Sequence, residues 1–152
     1  VSPIAVPPHG WQERAQRAVA KGQLIDAFIP GILLDSAFSR LGYWYACALG
    51  WAWGTIWSTG KVEKRGELWV FRGLPRWAFP RGGVCIGHCY LTGSAYVTAR
   101  VLRHEAIHVA QWQRYGFLMP LLSAISGRDP LQNRFEIEAG LEDGNYVPRG
   151  TE

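Results

Sequence analysis

The chain has little with which to staple itself. It carries three cysteines in 152 residues, an odd number that excludes a complete disulfide framework. Cys85 and Cys89 flank Ile86-Gly87-His88 in what reads as one strand over 84–91, where residues four apart lie about 13 Å from each other, beyond a bridge. A Cys-His-Cys metal site there would match no common zinc spacing, so half-buried strand thiols are the reading. No dense run of one charge occurs: the net charge is +4, with Lys and Arg scattered through 61–81 and 100–114. Without a basic stripe or a reader motif, nucleic acid is not the expected partner. Internal repeats, low-complexity tracts and linkers are also missing, so residues 1–152 read as a single domain, large enough to bury a core unaided. No methionine opens the sequence, as expected of a processed or trimmed chain, and a cytoplasmic or membrane-peripheral location is the expectation.

Apolar and aromatic residues are plentiful. Hydrophobic content of 48% with eight Trp argues for a packed globule. The longest uncharged stretch, 41–60 between Arg40 and Lys61, has the length of a bilayer span. Its four Gly, three Ser/Thr hydroxyls and mid-segment aromatics fit a span poorly, so it reads as a helix mostly covered by its own chain, with an apolar face left near the active site for a membrane or substrate. Peripheral membrane contact through 41–60 is the alternative.

Local patterning predicts an α+β fold with a helical part over 1–60 and a sheet plus catalytic helices over 61–152. Residues 1–8 are Pro-rich and extended. A helix follows over 11–21, and Asp35 or Ser36 caps the aromatic helix. Strands are expected at 67–72 and 84–91, separated by a turn at 75–80. A helix of roughly five turns ends at Gly116, a short apolar helix covers 117–126, and Pro130 opens a last helix to about 146.

One motif names a chemistry: His104-Glu105-Ala106-Ile107-His108. Residues i and i+4 share a helix face, so both imidazoles reach one metal while Glu105, 100° around, touches a metal-bound water. Catalytic zinc needs a third protein ligand, and the remaining candidates are His9, His88 and the carboxylates Glu136, Glu138, Glu142 and Asp143 of the last helix. On a helical wheel Leu131, Phe135, Ile137, Leu141 and Tyr146 form an apolar arc containing Glu138 and Glu142, with Glu136 at its edge. Either Glu136 or Glu138 satisfies this pattern.

The motif followed by Glu136-Ile137-Glu138-Ala139 resembles the gluzincin clan of zinc metallopeptidases. The likeness is nearest to short bacterial zincin-like domains and to the CAAX prenyl protease and HtpX types, and it covers about residues 83–146. It implies a zincin-like fold, with the active-site helix packed under a small sheet and the third ligand on a later helix. It also implies zinc on His104, His108 and Glu136, and Glu105 as general base. The acid or amide expected after Ala139 is instead Gly140, which removes a partner for the histidines. The resulting expectation is a zinc metallopeptidase acting on peptide or protein, with Tyr146, Tyr96 or Arg134 stabilising the oxyanion. The alternative is an inactive or non-peptidase zinc-binding module, or an interaction domain at a membrane surface.

Overall fold

The computed structural model describes residues 4–78 and 82–150. Its chain order is α1 (Trp11–Phe28), a 3-10 turn (Gly31–Leu33), α2 (Ala37–Trp57), strands β1 (Glu63–Arg65), β2 (Leu68–Phe71), β3 (Gly83–Ile86) and β4 (Cys89–Thr92), then α3 (Ala99–Tyr115), α4 (Leu118–Ser126) and α5 (Arg134–Ala139). The α+β class is therefore as expected from the sequence.

The four strands lie in the order β1-β2-β4-β3. β1 pairs antiparallel with β2, β2 parallel with β4, and β4 antiparallel with β3. The expected single strand over 84–91 is instead a hairpin. Ile86 pairs with Cys89 across the two-residue turn Gly87-His88, and Gly87 takes φ 62, where L-residues with a Cβ are strained. Cys85 and Cys89 thus sit on neighbouring strands, and all three cysteines are buried free thiols. β1 went unforeseen because Glu63-Lys64-Arg65 has no alternation to read; its pairing with β2 is what makes it a strand. The turn expected at 75–80 is seen as far as Ala78, whose amide donates to the Pro75 carbonyl at 2.9 Å; residues 79 and 80 lie outside the described residues, as do 1–3 of the proline-rich start.

One sheet face presents Leu68, Val70, Cys85 and Tyr90 to Val109 of α3 and to Tyr43 and Cys47 of α2. The other face gathers Phe71, Leu74, Cys89 and Leu91 under Trp51 and Trp57. α2 reaches both faces by crossing the sheet at the β3–β4 turn, where Gly87 abuts Cys47. It begins at a capping box: Ser36 accepts from the Ser39 amide, and the Ser39 hydroxyl accepts from the Ser36 amide. Its inward side is made of small residues, so backbone meets backbone. A Cβ at Gly42 would lie 2.3 Å from the Phe117 amide nitrogen, one at Gly50 2.8 Å from Cys89 Cβ, and one at Gly54 2.5 Å from the Phe71 ring.

That docking covers one side of the aromatic helix and leaves open an apolar face wider than the mostly covered helix expected from the sequence. The small residues face in, while Leu41, Trp44, Tyr45, Leu49, Trp53 and Ile56 are exposed. No helix among the described residues is long and apolar enough to cross a membrane. α1 runs on to Phe28, beyond the expected end at residue 21. Gly22 does not stop it but seats Arg134, whose Cδ lies 2.0 Å from where a Cβ would be.

The close approach at Gly42 has a sign that can be checked. In a free helix Gly→Ala stabilises by about 1 kcal/mol. Here the added methyl collides with backbone that cannot rotate away, so Gly42→Ala is expected to destabilise by about 1–3 kcal/mol in urea unfolding. A stabilised variant would mean that α2 is not seated as described.

Candidate metal centre

α3 carries the motif on its buried side. Thr98 caps it by accepting from the Val101 amide at 3.3 Å, and Gly116 ends it. His104, Glu105, His108, Val109, Gln111 and Tyr115 are buried, which is one helical face. α5 lies across that face and brings Glu136 to it.

The last helix is shorter than expected. α5 stops at Ala139 because Gly140 adopts φ 96, and the chain then turns back over α3. The helical wheel drawn through 146 therefore fails: Glu142 and Asp143 are not on that helix. Glu138 is exposed and lies near Arg134, Asp26 and Gln111, outside the cluster that Glu136 joins. His104, His108 and Glu136 form a cluster able to hold a metal, with donor atoms within 4.8 Å of one another. No group containing His9, His88 or a cysteine arises among the described residues.

Hydrogen bonds fix which nitrogens face inward. His104 Nδ1 lies 2.9 Å from the Gly140 carbonyl, which can only accept, so that nitrogen carries the proton. His108 Nδ1 lies 2.7 Å from Gln111 Oε1. The Gln111 amide nitrogen donates to the Phe135 carbonyl at 3.0 Å, which commits its oxygen to accepting from His108. In its neutral form each ring thus turns a bare Nε2 lone pair inward. The two Nε2 atoms are 3.1 Å apart, and Glu136 Oε2 stands 3.1 Å from His104 Nε2 and 3.5 Å from His108 Nε2.

Three unshared pairs at that spacing repel unless a cation or a proton lies among them. A tetrahedral ion with bonds of about 2.0–2.1 Å sets its ligand atoms about 3.3–3.4 Å apart, close to what is found. The donor set of two imidazoles and a carboxylate suits zinc among divalent ions. Glu105 adds an orphan: its Oε2 is buried without any hydrogen-bond partner. Burial pushes its pKa up to about 7, against the pull of His108 and His104. Burial works against the Glu136 carboxylate too, but there the two imidazoles prevail and hold its pKa well below the usual range. Burial disfavours protonated His108, yet Glu136 and Glu105 raise its pKa overall.

The cluster opens into a cleft of about 890 Å³. Gly82 and the start of β3 at Gly83 and Val84, the N-terminal half of α3, one side of α4 and Gly144–Tyr146 line it. Tyr146 packs edge-on to His104 at 5.9 Å, and Gly144 allows the loop to touch that ring, since a Cβ there would lie 2.7 Å from His104 Cε1. Burial and the charges of Glu136 and Glu105 raise the Tyr146 pKa, keeping the phenol protonated as a donor. Tyr96 lines the outer cleft and is largely exposed. Arg134 is not in the cleft. It is buried elsewhere, paired to Asp26 at 2.8 Å, so its candidacy as an oxyanion donor is withdrawn.

Several interactions that build the site were not foreseen from sequence. Asp26 ties three helices: it accepts from Arg134 of α5 at 2.8 Å and from the Tyr115 hydroxyl of α3 at 2.6 Å. Asn133 caps α5, accepting from the Phe135 amide at 3.0 Å and donating to the Gly127 carbonyl at 2.8 Å. Asp143 pairs with Arg100 at 3.2 Å and Arg103 at 3.0 Å, pinning the last loop to α3. Gln111, three residues after His108, carried a readable hint, because metal-bound histidines take an orienting partner for their second nitrogen. Gly140 supplies through its carbonyl what the expected acid or amide would have supplied by side chain. His88 is structural: Trp51 Nε1 donates to its Nε2 at 3.0 Å, and burial followed by the charge of Lys64 lowers its pKa.

Compared with known proteins, the chain matches no family model, no curated protein and no solved structure. The α+β architecture and the His-His-Glu cluster thus rest on this chain's own residues.

The Asp26 tie predicts how α5 is held. Asp26→Asn leaves Arg134 buried without its counter-charge, and removal of one partner of a buried pair costs about 3–5 kcal/mol. Urea unfolding is expected to show a loss of that order. A loss within about 0.5 kcal/mol, the range of ordinary surface changes, would contradict the role.

Proposed function

We propose that this protein is a small zincin-like metallopeptidase of gluzincin type, holding one zinc per chain on His104, His108 and Glu136. The observation that carries the reading is the convergence of two bare imidazole nitrogens and a carboxylate oxygen at 3.1–3.5 Å beside an unpartnered buried glutamate. Zinc at this position supplies Lewis acidity and brings the pKa of a coordinated water toward neutrality.

The chain's own residues account for the rest. Glu105, with a pKa near 7, accepts the proton of the attacking water and later passes it to the leaving amine. Tyr146 is the best-placed donor for the oxyanion, protonated and within the cleft. Gln111 and the Gly140 carbonyl keep both imidazoles in the tautomer that exposes Nε2.

A peptide substrate is supported by β3, an edge strand bordering the cleft. Ile86 and Cys89 close the hairpin, so by alternation Gly83 and Cys85 turn their amides and carbonyls to the free edge. The Cys85 carbonyl accepts from Trp112 Nε1 at 2.9 Å, consistent with that direction. Gly83 keeps its edge groups for an extended chain added as another strand.

Two measurements bear on this. After purification without a nickel column, elemental analysis is expected to find about one zinc per chain. Glu136→Gln should release it and Glu138→Gln should keep it; release by Glu138→Gln alone would assign the third ligand to the other glutamate. Glu105→Gln is expected to retain zinc while lowering hydrolysis of a mixed peptide library by about a thousandfold. Undiminished hydrolysis would remove Glu105 as the base, and zinc without turnover by the unaltered chain would favour a binding module.

A further inference from the structure

The outward side of α2 is a surface for which the metal centre has no use. Leu41, Trp44, Tyr45, Leu49, Trp53 and Ile56 are exposed along it, and Arg40 is the only charged residue in the helix. Phe117 carries this surface onward, its ring 5.4 Å from Phe38 and 5.8 Å from Tyr45. It leads to α4, which has no charged residue and exposes Leu121 and Ile125. Ile125 in turn lines a second cleft, of about 310 Å³, with Arg14, Arg17 and Lys21 of α1. Glu13 meets Arg17 at 3.5 Å, but both are largely exposed, so water screens that pair.

We infer that this face docks on an anionic lipid bilayer, α2 and α4 lying in the plane of the interface and the Arg14/Arg17/Lys21 cleft taking lipid phosphate. Charge selects the occupant. A second copy joined through the same patch would bring its own basic cleft and its own +4 to the border, so like charges would meet. Anionic headgroups attract both the cleft and the net charge. Tryptophan and tyrosine suit the headgroup level, where one part of the ring is apolar and another hydrogen-bonds. No helix among the described residues can cross the membrane, so in-plane insertion is the available mode. Pro120, Ser123 and Ala124 of the same α4 line the metal cleft, which docking therefore brings next to the lipid.

The test is co-sedimentation of the whole chain with vesicles of phosphatidylcholine alone or with about 30% phosphatidylglycerol, at about 0.1 M salt. The expected result is partition onto the anionic vesicles and little onto the neutral ones. Leu121→Asp with Ile125→Asp, and separately Arg14→Glu with Lys21→Glu, should each lower that partition about tenfold with unchanged circular dichroism. Should the aspartate pair unfold the chain, Trp44→Ser on the exposed side of α2 serves as the apolar variant and is expected to weaken binding. The proposal is overturned if the unaltered chain stays in the supernatant, if the charge reversals change nothing, or if gel filtration shows a dimer that Leu121→Asp disperses while vesicles bind none. No substrate enters the experiment, so it is independent of whether the protein hydrolyses peptides.

Discussion

Two imidazoles, each with its Nδ1 proton committed to a hydrogen bond, and a carboxylate aim unshared electron pairs at one point between α3 and α5, where only a cation or an added proton relieves their repulsion. The Gly140 carbonyl and the Gln111 amide oxygen take the Nδ1 protons, so neither ring can relieve the repulsion by changing tautomer. Glu136 is held ionised between the rings. Such an arrangement is costly for a folded chain to keep by itself, and a cation removes the cost. Glu105 has the complementary character: buried and unpartnered, with its pKa lifted to about 7, it suits proton transfer better than charge pairing.

Much of the remaining structure serves to hold α5 against α3. Asp26 reaches both helices from α1, Arg134 stacks over Tyr115 and Phe135, and Asn133 fixes where α5 begins. At the other end the Asp143 ion pairs fold the last loop over His104. α2 contributes differently, since its small-residue side clamps the β3–β4 hairpin and the α3–α4 junction. The hairpin in turn presents an edge strand at the cleft mouth.

The parts legible in the sequence were those governed by local periodicity. The i, i+4 histidines put α3 and its buried face in view at once, and Gly116 and Ser36 marked helix boundaries correctly. Likeness to gluzincins pointed to Glu136, whereas the wheel placed Glu138 inside its apolar arc and Glu136 only at the edge, because it assumed a helix that Gly140 interrupts. Parts decided by tertiary contact were hidden. β1 is charged throughout and is a strand only through its partner. Gly22 looks like a helix stop until Arg134 is seen filling its place. The aromatic helix shows the same limit: four-residue spacing of Gly42, Ala46, Gly50 and Gly54 turned the small side inward and left Trp44 and Trp53 exposed, while Trp51 and Trp57 pack on the sheet.

The most direct measurement of the central claim is X-ray absorption at the zinc edge on the metal-loaded protein. Two imidazole nitrogens and one carboxylate oxygen predict a nitrogen and oxygen shell at about 2.0–2.2 Å, with the outer-ring scattering of two histidines and no sulfur. A sulfur shell at about 2.3 Å would place the metal on the cysteines, and a shell without imidazole scattering would place it away from α3; either result would contradict the account.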